Sequence, residues 1–194
     1  MMGQKIALGI STLLGLLVLG FLGLVGAALI YDTSNPRDRP NAYLIEHAIE
    51  VDAPAEAAYE FLQHRIPDVY TEVAGMHARF EILNADALVP GAVVECEEGD
   101  ENEVVRHRYV VTRVIPNRLL QMTSSPSIVL DRATGDTIAE TDAEVYYDFE
   151  PLEGGRTRLT QTVVIDMLDP FHKALTDVAA SVSGSRDAWS AQFV

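Results

Sequence analysis

Five histidines, one cysteine and a scatter of tyrosines are the residues of this chain that could do chemistry, and their spacing decides how far that goes. His47, His64, His77, His107 and His172 stand singly, with no HExxH, HxH or paired-cysteine spacing, so a metal centre would have to be assembled by tertiary contact. His107 is the most informative of them. Strand alternation puts it on one face with Tyr109 and puts Arg106 and Arg108 on the other, and an inward imidazole beside a phenol could orient a carbonyl or move a proton. More often such a residue is a satisfied core histidine. A one-residue slip would reverse the faces and bring the arginines inside. Ser124-Ser125 and Ser183-Gly184-Ser185 lack the GxSxG elbow of a hydrolase, and Gly154-Gly155 joins two strands without opening a phosphate-binding helix. The acidic run Glu95 to Glu103 does not have the spaced Asp/Asn-Gly-Glu pattern of a calcium loop and is expected to be a solvated hairpin. No cofactor is indicated.

The elements that must position these residues begin at Tyr43. There Tyr43, Ile45, His47, Ile49 and Val51 alternate with polar neighbours, which is strand periodicity. Asp52-Ala53-Pro54 then opens a short helix carrying Ala58, Phe61 and Leu62 on one side, and a second short helix is expected around residues 67–74. Six strands follow, over 78–86, 92–98, 104–115, 118–125, 137–150 and 156–166. They are separated by Pro90-Gly91, Gly99-Asp100, Pro116-Asn117, Thr134-Gly135-Asp136 and Gly154-Gly155. Short links between successive strands imply an antiparallel meander, and the alternation of residues 139–150 gives it one dry and one wet side. Asp169-Pro170 opens a terminal helix with an apolar stripe at Phe171, Leu175, Val178, Val182, Trp189 and Phe193.

Ahead of all this, Ile6 to Tyr31 contains no charged residue, and as a helix it would span about 39 Å against a hydrocarbon core of about 30 Å. The expectation is a single-pass membrane protein: an N-terminal transmembrane anchor over 1–31, an extended linker over 32–42 and one domain over 43–194. Lys5 against Arg37 and Arg39 leaves the side of the membrane open, and a cleaved secretory signal is the rival reading. All 29 acidic residues follow this stretch, and the chain carries a net charge of −15, a surface that repels phosphates and excludes nucleic acid as a natural partner. The lone Cys96 excludes an internal disulfide.

The segment IEVDAPAEAAYEFL (residues 49–62) resembles the opening of the START-like superfamily, in its polyketide cyclase/dehydrase and lipid-transport branch (SRPBCC-type). RYVVTRVIPNRLL (108–120) is similar to that branch's central strand, turn and next strand. The resemblance implies an α+β helix-grip fold: a curved antiparallel sheet of about seven strands, two short helices and a long C-terminal helix. It also implies an apolar cavity that receives a hydrophobic small molecule or lipid. The expected lining is His107, Tyr109, Val111, Thr123, Tyr147 and Gln161 from the sheet and Phe171, Leu175 and Val178 from the helix, with Phe80, Ile82 and Val94 nearby. A non-catalytic binding protein is the leading expectation. The alternatives are a cyclase or dehydratase using His107 with Tyr109 or Tyr147 as acid and base, and an acidic protein-interaction module.

Overall fold

The computed structural model describes residues 2–28, 32–73, 75 and 77–184. The strands form one seven-stranded sheet in the order β1-β7-β6-β5-β4-β3-β2, and its pairs from β2 to β7 are antiparallel. The elements are α1 (Met2–Ala28), β1 (Ala42–Val51), α2 (Ala55–His64), α3 (Ile66–Val73), β2 (His77–Ile82), β3 (Val93–Gly99) and β4 (Glu103–Ile115). They continue with β5 (Leu119–Asp131), β6 (Thr137–Pro151), β7 (Thr157–Asp166) and α4 (Pro170–Ser183). The architecture is therefore α+β, with a meander of the expected order. Trp189 and Phe193, expected on the terminal helical stripe, lie outside the described residues.

By contacts the chain divides into two units, Met1–Tyr43 with Met167–Ser183, and a second built on Leu44–Asp166. In the first unit α1 meets α4, with the Phe21 and Phe171 rings 6.3 Å apart. Asp169 caps α4 as its position before Pro170 suggested, its Oδ1 accepting from the backbone amides of Phe171 and His172 at 2.9 Å each. Residues 32–41 differ from the extended linker expected of them. Successive turns close between Asp32 and Asn35 and between Asn35 and Asp38, because the Asp and Asn side chains bond back to nearby amides.

The expectation of a single-pass membrane protein is corrected. Among the described residues no helix is long and apolar enough to cross a membrane.

In the second unit the core lies on one face of the sheet. Val94, Val111, Leu120 and Met122 are almost fully buried there, α2 adds Ala55, Tyr59 and Leu62, and α3 adds Tyr70. Tyr59 meets Phe149 edge-on at 5.6 Å, and Phe61, expected inside, is half exposed. The buried stripe of α2 is thus i, i+4, i+7 from Ala55, one step around from the expected one. The strand β5 outruns its expected end at Ser125. Pro126 cannot donate to the ladder, but the register shift between Ser124 and Ser127 absorbs it and pairing resumes. The β4–β5 turn sets Asn117 at φ 61°, a left-handed conformation that glycine and asparagine tolerate. Asn117→Ala is expected to cost about 1 kcal/mol in urea unfolding and Asn117→Gly almost nothing.

Candidate functional site

The inner face of the sheet ends, toward β2, in a cluster of polar side chains placed by alternation and register. On β3, Val94, Cys96 and Glu98 point the same way, and β2 and β4 set His77 opposite Glu98 and His107 opposite Cys96. Glu98 bridges the two imidazoles: Oε2 lies 2.7 Å from His77 Nε2 and Oε1 lies 3.0 Å from His107 Nε2. The other ring nitrogen of His107, Nδ1, is 2.6 Å from Ser127 Oγ, which in turn donates to Ser124 Oγ at 2.9 Å. His77, His107, Ser124 and Ser127 are all buried.

Burial alone would raise the Glu98 carboxyl, but the hydrogen bonds from His107 and His77 reverse that and hold it down at about 2. Burial pushes the Cys96 thiol up, and the neighbouring Glu98 and Glu97 add to it. Tyr109 and Tyr70 are driven well above the usual phenol range, first by burial, and Tyr147 is raised to about 12, also by burial. The Ser127–His107–Glu98 chain has the connectivity of a hydrolase triad. Its serine is fully buried and gives its proton to Ser124, so it offers no accessible nucleophile.

Next to this cluster lies a partly open cavity of about 40 Å³. Phe80, Met122, Val145 and Val163 give it an apolar wall, and His77, Glu98, His107 and Gln161 bring polar atoms to it. Tyr147 accepts from Gln161 Nε2 at 3.0 Å, and the His107 ring stacks on Tyr109 with centroids 4.9 Å apart.

Of the residues anticipated from sequence, His107, Tyr109, Tyr147 and Gln161 lie at this cavity. Val111 is buried in the packed core. Thr123 falls on the opposite face, its Oγ1 3.3 Å from the exposed Thr112 hydroxyl, because Leu120, Met122 and Ser124 take the inner positions of β5. Phe171, Leu175 and Val178 belong to α4 in the first unit, where their side chains are exposed. Sequence reasoning missed His77, Cys96, Glu98 and Ser127. For Cys96 and Glu98 the signal was present in the alternation Val94–Cys96–Glu98, which carries the carboxylate inward with two apolar neighbours. The acidic run is only partly the solvated hairpin expected, since Glu95 and Glu97 face outward and pair with Arg79 at 2.5 Å and Arg106 at 3.0 Å.

No protein-family model matches the chain, and no curated protein matches it in sequence. Its backbone is similar to that of solved structures. Ara h 8.0201 superposes with a TM-score of 0.50 at 12% identity, over 77% of this chain and 96% of that one. A conserved protein from Geobacillus kaustophilus gives a TM-score of 0.50 at 13% identity, over 77% of this chain and 93% of that one. At such identities the likeness defines the fold, a helix-grip α+β architecture of the kind the START-like resemblance implies.

Proposed function

We propose that the protein binds a small hydrophobic molecule, or the apolar part of a lipid, on the inner face of the sheet, and performs no chemistry on it. The observation that carries this reading is the wall of Phe80, Met122, Val145 and Val163 set beside a few convergent polar groups, the composition of a small-molecule site. Its present volume of about 40 Å³ is of the order of one water, so a ligand must be slim or must spread the wall on entry. The polar groups suit holding better than proton transfer. Both nitrogens of His107 are engaged by Ser127 and Glu98, and the phenols of Tyr109 and Tyr147 stay protonated far above neutrality. They act as fixed hydrogen-bonding groups for a ligand's oxygen.

The test is titration of the full chain with the apolar fluorophore 1-anilinonaphthalene-8-sulfonate, with near-ultraviolet circular dichroism to show that the native packing persists. Val145→Trp fills the cavity and is expected to weaken binding at least tenfold, while Tyr147→Phe, which removes only a hydroxyl, weakens it a fewfold. Unchanged affinity in both variants, or no binding by the native chain, would sink the proposal.

A further inference from the structure

The geometry points to a zinc site built from His77, Cys96 and Glu98, with its fourth position open to the adjoining cavity. A ligand atom from each of the three lies within 4.8 Å of the other two. His77 pairs directly with Glu98 across β2 and β3, the ladder shifting just after it, and Cys96 lies two residues before Glu98 on the same face of β3, so strand pairing brings the three together. The carboxylate oxygen and the His77 Nε2 stand 2.7 Å apart. Two ligands of a tetrahedral zinc ion with bonds of about 2.0 Å stand about 3.3 Å apart, so a metal replaces the bridging proton after a shift of about half an ångström.

The donor chemistry selects among cations. One imidazole, one thiolate and one carboxylate form a mixed N/S/O set of the kind zinc accepts, whereas calcium and magnesium want oxygen alone. Charge also balances: a carboxylate and a thiolate, the latter releasing its proton to solvent on binding, together neutralise the dication in a buried site. Such neutrality matters where an uncompensated charge is costly. The cavity bordering all three residues has a volume of about 40 Å³, of the order of the one water that a three-ligand zinc ion carries. His107 is then a positioning residue. Its Nε2 holds the second oxygen of Glu98 at 3.0 Å, and its Nδ1 is anchored on Ser127 at 2.6 Å, the outer-shell support common at metal sites.

The experiment uses full-length protein stripped with chelator and titrated with Co²⁺, then with Zn²⁺. The expected result is one equivalent of Co²⁺ bound with a thiolate-to-metal charge-transfer band in the near ultraviolet, a proton released to the medium, and displacement by Zn²⁺. Cys96→Ser is expected to abolish the band and weaken Zn²⁺ binding at least tenfold, with near-ultraviolet circular dichroism of the metal-free variant showing that the native packing persists. His77→Ala also weakens binding at least tenfold. His107→Gln keeps the band and lowers affinity about tenfold. Binding without the band, or Zn²⁺ affinity equal in the native chain, Cys96→Ser and His77→Ala, overturns the assignment and leaves only adventitious binding to surface carboxylates. The fluorophore titration reads the apolar wall and these spectra read the thiolate, so failure of one leaves the other standing.

Discussion

Glu98→Gln is expected to flatten the acid limb of the stability profile. The folded carboxyl sits at about 2 against an ordinary value of 4.5, so the unfolded chain binds its proton first as the pH falls. The resulting stabilisation is fully present above about pH 4.5 and disappears as the pH drops toward 2. A displacement of that size is worth about 3 kcal/mol at about 1.4 kcal/mol per unit. Urea unfolding at pH 6 and pH 3 measures it: the native chain should lose markedly more stability between the two than the glutamine variant. Equal losses would mean that Glu98 is not held by the two imidazoles. Removing the side chain altogether, as in Glu98→Ala, also strips two buried rings of a shared acceptor, and that cost persists at neutral pH.

The second large effect is expected one residue further on. Gly99 closes β3 at φ 151°, and a methyl group added there would overlap the carbonyl oxygen of Glu103 and crowd the Val104 Cα. Both obstacles are backbone, so no side chain can swing away. Gly99→Ala should therefore cost about 3 kcal/mol, combining backbone strain with steric displacement. Gly91→Ala is the control. Gly91 also has a positive φ, of 86°, but nothing lies near its added carbon, and the expected loss is about 1 kcal/mol. Similar unfolding midpoints for the two variants would show that the β3–β4 turn can re-form around a side chain.

Much of the architecture was legible because strands with one dry face write their burial into every second residue. Tyr109 and Val111 on β4, and Val145, Tyr147 and Phe149 on β6, are all buried at alternate positions. The site was harder to read for three separate reasons. Glu98 sits within an acidic run, and charge suggested solvent although its neighbours two and four residues back are apolar and buried. His77 faces Glu98 only through the pairing of β2 with β3, a register that no local pattern contains. Ser127 follows a proline, the residue that most often ends a strand, and only the bulge makes its continuation possible. The placement of Thr123 failed for a different cause: Leu119 and Leu120 are adjacent and both buried, so the period of two is broken where β5 begins and its phase is ambiguous. For the N-terminal segment, composition suggested a bilayer crossing that the described helices do not support.

Among the described residues the sheet does not close on itself, and β2 forms one of its two rims. That rim is a template on which another chain could crystallise into a growing ribbon. The irregular step between His77 and Arg79 and the ionic staple from Arg79 to Glu81 make it a poor one, since an incoming strand would meet a kinked backbone and would have to dry a charged border. The histidine that reaches inward to Glu98 stands at that same kink, so the distortion that equips the interior also keeps the margin from recruiting fibrils.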